Sequence, residues 1–206
     1  MKHIFKEGTD LTSTTLLLLH GTGGTEQDLL PLAERVDSQA NVLSVRGNIN
    51  ENGMFRYFKR LSPGVFDEAD LKFRTHELND FLNDAAKEYG FDRNKIIAIG
   101  YSNGANIAGS LLFHYSNVLK GAILHHPMVP LRGLELPDLS DTPIFIGAGT
   151  NDPICASEES EELEHLLSDA GADVTLHWEN HGHQLSGTEV DAAATWYKAN
   201  KNRLNQ

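Results

Sequence analysis

Cysteine is nearly missing from this chain. Cys155 is the one thiol in 206 residues, so no intrachain disulfide can form and the fold must be held by its core. Positive charge is also scarce: 17 Lys and Arg stand against 29 Asp and Glu, a formal net charge of −12. Such a balance repels phosphate backbones and anionic bilayers, so neither nucleic acid nor a membrane is an expected partner. The nearest approach to a basic patch, Arg56-Tyr57-Phe58-Lys59-Arg60, is followed by Asp67, Glu68 and Asp70 and reads as a loop feature. No apolar stretch reaches membrane-spanning length. The longest aliphatic block, Leu16 to Leu19, follows Thr12-Ser13-Thr14-Thr15 with neither a basic lead nor a cleavage signal, so it reads as a strand rather than a signal peptide. Cytoplasmic residence is the expectation, and a homodimer is compatible with the sequence.

Cofactor motifs are missing as well. Gly21-Thr22-Gly23 begins like a dinucleotide fingerprint, but Glu26 stands where its third glycine belongs and no Walker lysine follows. Ten histidines raise the question of a metal, yet there is no H-E-x-x-H and no cysteine pair, and the adjacent His125 and His126 would point to opposite faces of a strand. No metal and no organic cofactor are expected. Neither an internal repeat nor a low-complexity tract is present.

At 206 residues, 40% hydrophobic and 22% charged, the chain fits a single domain spanning 1–206, able to bury roughly 70% of the surface it exposes when unfolded. Apolar runs too short for helices alternate with longer stretches of helical period, the signature of a mostly parallel sheet with helices on both faces. Thr15 to Leu19, Asn41 to Val45, Ile96 to Ile99, Ala122 to Leu124, Ile144 to Ile146 and Val174 to Trp178 read as strands, with an edge strand over residues 3–7. Helices are expected over Asp28 to Val36, opened by Thr25 and Asp28 in capping-box spacing, and along Leu78 to Tyr89, closed by Gly90. Two more are expected from Ser157 to Ala170, ended by Gly171, and from Glu189 to Lys201, opened by Thr188 and Asp191. Gly47 to Pro63 form one long irregular stretch, and residues 47–66 are the candidate for a flap.

Gly100-Tyr101-Ser102-Asn103-Gly104 sits between the strand Ile96 to Ile99 and the helix-like Ala105 to Ala108, so a serine occupies a strand-to-helix corner. A side chain two residues to either side would collide across such a turn, which suits Gly100 and Gly104. Ser102 needs a base and a donor site for the charge that develops on a substrate carbonyl. His183, in the loop after the strand Val174 to Trp178, is the candidate base. Asp152, at the carboxyl end of the strand Ile144 to Ile146, is the candidate acid; a helix cap or turn residue is the plain alternative. The chain order serine, acid, histidine is that of α/β-hydrolases. His20-Gly21-Thr22-Gly23-Gly24, straight after the first strong strand, places the Thr22 amide with that of Asn103 as oxyanion donors. Met54, Phe55, Tyr57, Phe58 and Phe66 are candidates for a pocket wall. His126 either lines the acyl pocket or is a hydrogen-bonded core residue. Cys155 reads as a packing residue.

Together these motifs, with Arg46-Gly47, Glu51-Asn52-Gly53 and Gly64-Val65-Phe66-Asp67, resemble the phospholipase/carboxylesterase group of small α/β-hydrolases, most closely bacterial carboxylesterases linked to hydroquinone resistance. The resemblance covers nearly the whole chain. It implies an α/β-hydrolase fold with a minimal cap or none, a nucleophile, acid and base at Ser102, Asp152 and His183, oxyanion positions at Thr22 and Asn103, no cofactor, and a small-molecule carboxylic ester as substrate. Acyl-protein thioesterase or lysophospholipase activity is the alternative within the class. Asn103 in place of the thioesterases' glutamine, and Thr22 in place of their leucine, count against thioesterase specificity. From another class comes a non-catalytic scaffold that binds an aromatic small molecule such as a quinone.

Overall fold

A computed structural model of the chain describes residues 1–205. Its strands are β1 (His3–Lys6), β2 (Thr15–Leu19), β3 (Asn41–Val45), β4 (Ile49–Glu51), β5 (Met54–Arg56), β6 (Arg60–Ser62), β7 (Val65–Phe66), β8 (Ile96–Tyr101), β9 (Gly121–His125), β10 (Pro143–Gly149) and β11 (Asp173–Glu179). Its helices are α1 (Leu30–Asp37), α2 (Glu68–Tyr89), α3 (Asn103–His114), α4 (Ser157–Asp169) and α5 (Gly187–Asn205). Seven strands form one sheet in the order β1-β3-β2-β8-β9-β10-β11. Every pairing is parallel except that of the edge strand β1 with β3.

Alternation along β2 shows why both faces are covered. Leu17 and Leu19 enter one core with residues of α2, α3 and α4, whereas Leu16 and Leu18 enter the other with residues of α1 and α5. All four leucines are fully buried, and each contributes about 1.5–3 kcal/mol by leaving water. This is the α/β-hydrolase architecture, and among the described residues no cap domain stands over the sheet. No helix in them is long and apolar enough to cross a membrane.

Several element starts differ from the sequence expectation. Thr25 Oγ1 does donate to Asp28 Oδ1 at 2.9 Å, but in a turn ahead of α1, which begins at Leu30 with Pro31 in its first turn. Proline lacks the amide that a first helical turn leaves unpaired, so it marks the start better than the capping pattern. At α5 the cap is Ser186, whose Oγ accepts the Glu189 amide at 3.1 Å, while Thr188 Oγ1 donates sideways to Glu179. Helix α2 starts ten residues before Leu78, where the Asp67 side chain accepts the Asp70 amide, and ends at Gly90 with φ 76°. Residues 103–113 of α3 are buried all round, so no polar stripe announces them as a helix.

Residues 47–66 are two small hairpins rather than an irregular loop. Asn52 and Gly53 turn the first with φ 53° and 88°, a type I′ turn that joins β4 to β5, and Gly64 at φ 74° turns the second.

Candidate active site

The parallel strands bring their carboxyl ends to one sheet margin, and the candidate residues leave from five of them: His20 to Thr22 after β2, Ser102 after β8, His126 after β9, Asp152 after β10 and His183 after β11. Ser102 adopts φ 51°, ψ −112°, and its amide donates to His125 O at the tip of the neighbouring strand, 2.9 Å away. The turn is tight enough that a Cβ on Gly100 would sit 2.7 Å from the Ala105 backbone, and one on Gly104 would strike the Leu19 and His20 carbonyls. Both elbow glycines are therefore required by the backbone's close approach.

Ser102 Oγ lies 2.8 Å from His183 Nε2, and His183 Nδ1 lies 2.7 Å from Asp152 Oδ2. An imidazole protonated on Nδ1 satisfies both contacts, donating to the carboxylate and accepting from the hydroxyl. Two bonds hold the histidine loop in register: Tyr101 Oη donates to His183 O at 2.9 Å, and the Asn151 amide donates to His181 O at 3.2 Å. Asp152 Oδ1 accepts the amides of Ile154 and Cys155 at 2.8 and 2.9 Å. Burial would raise this carboxyl, but the Cys155 amide, His183 and the Ile154 amide outweigh it and hold it below the ordinary aspartate value. Asp152 thus caps its own loop as well as facing His183.

Thr22 and Asn103 flank Ser102 on a cavity of about 310 Å³. Asn103 is the first residue of α3, so its amide has no helical carbonyl to pair with. The side chains of both residues are engaged elsewhere. Arg56 Nη1 donates to Thr22 Oγ1 at 2.6 Å, and Asn103 Oδ1 accepts the Tyr57 amide at 2.7 Å. Gly23 N donates to Phe55 O, His20 N donates to Tyr57 Oη, and Tyr57 Oη donates to Val45 O. The hairpins are therefore stitched to the glycine loop and to α3.

This stitching separates the expected pocket residues. Phe66 lines the cavity with Met128 and Ile154. Phe58 is fully buried in the core and Tyr57 is an anchor. Phe55 lies under the Arg46 guanidinium, its ring centre 4.6 Å from the guanidinium carbon, and is not among the residues lining the cavity. His126 is likewise not a wall: it is fully buried behind Asp152, its Nδ1 3.0 Å from Asp152 Oδ2 and its Nε2 2.9 Å from Glu189 Oε2. Of the two sequence readings, the hydrogen-bonded core residue is the one found. Arg56 was missed as a lining residue; buried beside Arg60, with Glu51 near both, its guanidinium is lowered to about 10. Glu26, the residue that breaks the dinucleotide fingerprint, is buried and pairs with Arg46. Burial pushes the Cys155 thiol up to about 12, and its Sγ donates to Pro127 O.

His126, Asp152 and His183 bring three ligand-type atoms within 4.8 Å of one another, close enough to share a cation. Hydrogen bonds already commit these atoms to one another and to Ser102 and Glu189.

A strand-to-helix serine hydrogen-bonded through an imidazole to a carboxylate, at the carboxyl edge of this sheet, defines an α/β-hydrolase. The chain belongs to the dienelactone hydrolase family, whose model matches residues 60–205. It is 60% identical over 198 residues to a Bacillus subtilis (strain 168) protein named as a hydrolase, MhqD, covering 96% of this chain and 98% of that one. The crystal structure of a Bacillus cereus carboxylesterase superposes with a TM-score of 0.95 at 67% identity, covering 97% of this chain and 94% of that one. More distant is an acyl-protein thioesterase 1 of Cryptococcus neoformans, 26% identical over 75% of this chain and 72% of its own. The protein is accordingly a hydrolase of the carboxylesterase kind.

Proposed function

We propose that the protein is a serine esterase that cleaves short- to medium-chain carboxylic esters through an acyl-enzyme intermediate. The observation that carries this reading is the unbroken hydrogen-bonded chain from Ser102 Oγ through His183 to Asp152, at 2.8 and 2.7 Å. Ser102 Oγ attacks the ester carbonyl while its proton passes to His183 Nε2. Asp152, accepting from Nδ1, stabilises the imidazolium that forms. The Thr22 and Asn103 amides donate to the oxyanion, and loss of one such donor costs about 3–4 kcal/mol of transition-state stabilisation. Collapse expels the alcohol, which takes the proton from Nε2. A water then repeats the sequence on the acyl-enzyme and releases the acid.

The cavity, at about 310 Å³, lies at the small end of ligand pockets, which supports modest acyl groups over long ones. Labelling with a fluorophosphonate, and rates on acetyl, octanoyl and palmitoyl esters and thioesters, test the reading. Wild type is expected to label and Ser102→Ala to stay unlabelled, with acetyl and octanoyl esters cleaved faster than palmitoyl ones. Preference for long thioesters would move the assignment to a thioesterase. A folded wild-type protein that never labels would leave a binding scaffold.

A further inference from the structure

We infer that His126 is a doubly protonated positioning residue, an imidazolium wedged between Asp152 and Glu189 that ties the acid behind His183 to helix α5 and draws negative charge away from it. The kinetic part of this inference rests on the esterase reading above; the protonation state does not.

A neutral imidazole has one N–H donor and one bare acceptor nitrogen. Both nitrogens of His126 face carboxylate oxygens, at 3.0 Å to Asp152 and 2.9 Å to Glu189. Ionised carboxylates only accept, so a neutral ring would press one lone pair against another in a site where all three side chains are at most 1% exposed. The doubly protonated ring satisfies both contacts. Placing the extra proton on a carboxylate is disfavoured by the other donors: Asp152 also receives Ile154 N, Cys155 N and His183, and Glu189 Oε1 lies against His125 Nδ1. The charges behave accordingly. Burial alone would lower His126 and raise Glu189, but their mutual contact, with Asp152 and His125, raises His126 and brings Glu189 down to about 2.

The backbone is built to hold this arrangement. His126 takes φ 52°, uncommon for a residue with a side chain, and its amide donates to Gly147 O at 2.7 Å. Any side chain on Gly147 would collide with the Glu189 carboxylate. Glu189 occupies the first turn of α5, where Ser186 and Glu189 have capping-box spacing, yet its carboxylate turns inward to the two histidines. The groups facing His126 are thus Asp152 after β10, Glu189 from α5, His125 from β9 across that carboxylate, His183 after β11 with its ring centre 5.2 Å away, and Tyr101 from β8 at 6.1 Å.

A cation at this place opposes a second positive charge on the neighbouring ring of His183, whose centre lies 5.2 Å away. In Glu189→Gln the ring of His126 keeps Asp152 but loses one of its two counterions, which weakens its hold on the second proton; in His126→Gln the cation is gone and Glu189 remains. Both variants should move the acid limb of kcat/KM upward, His126→Gln the more, by about one pH unit, which is about tenfold in rate on that limb. The test joins nitrogen NMR of isotope-labelled histidines in wild type to pH-rate profiles of both variants on para-nitrophenyl acetate. One ring, missing from His126→Gln, is expected to stay protonated on both nitrogens as pH rises past the usual histidine range. A single bare nitrogen on that ring near neutral pH overturns the inference; should His126→Gln not fold, a wild-type spectrum in which no ring is doubly protonated above the usual histidine range overturns it as well. Acid limbs that stay in place, or move downward, while rates fall uniformly would reduce His126 and Glu189 to structural residues and overturn the positioning role. Undiminished ester hydrolysis by Ser102→Ala would remove the esterase reading while leaving the NMR result to stand or fall alone.

Discussion

The carboxamide oxygen of Asn103 accepts the buried backbone amide of Tyr57 at 2.7 Å, so the residue that follows the elbow serine also fastens the hairpin segment to α3. Its backbone and its side chain have separate tasks. Asn103→Ala keeps the backbone amide aimed at the proposed oxyanion but strands the Tyr57 donor, which should cost about 1–3 kcal/mol of stability. Urea denaturation is expected to show that loss, and ester assays a fall in kcat/KM much smaller than that of Ser102→Ala.

Ser102 holds a backbone conformation at φ 51° that glycine adopts without strain. Ser102→Gly should therefore be more stable than wild type by about 1–3 kcal/mol while inactive. Activity is expected to fall by roughly four to six orders of magnitude. Thermal melting beside residual ester turnover checks both; a less stable variant would mean that the elbow is not strained.

Stability at acid pH follows from Glu189, whose carboxyl is brought down from 4.5 to about 2 because its histidine contacts outweigh burial. A depressed carboxyl contributes stability above its unfolded value and loses it as pH falls toward the folded one. Wild type should thus lose stability steeply between 4.5 and about 2. Asp152, also lowered, adds to the same slope. Glu189→Gln is expected to be less stable near neutrality and flatter through that window, as measured by urea midpoints across pH.

Phe58 and Phe66, edge to face at 5.0 Å, should respond differently to truncation. Phe58→Ala opens the core and should cost about 3–5 kcal/mol without changing acyl preference. Phe66→Ala enlarges the cavity and should raise octanoyl over acetyl turnover. The ratio of the two rates, taken on folded protein, decides between them.

Ser102, Asp152 and His183 were legible because each stands just past a short apolar run, and parallel strands deliver their carboxyl ends to one edge. Helix α3 was only half legible, since its length is buried and shows no polar stripe. The hairpin β4–β5 carried a sign in Asn52-Gly53, overshadowed by the aromatics around it. Nothing local told Phe58 from Phe66, because an aromatic residue in a turn-rich segment has the same pattern whether it meets the core or a cavity.

By itself, then, the order of residues determined the sheet, the elbow and the succession of serine, acid and histidine, because strand runs, glycine spacing and chain order are local or sequential properties. Tertiary structure alone decided what stands behind the acid. Glu189 reads as a helix-start glutamate and His126 as a strand-end histidine, 63 residues apart; only the packing of α5 against β10, with Gly147 making room, turns them into one buried charged pair.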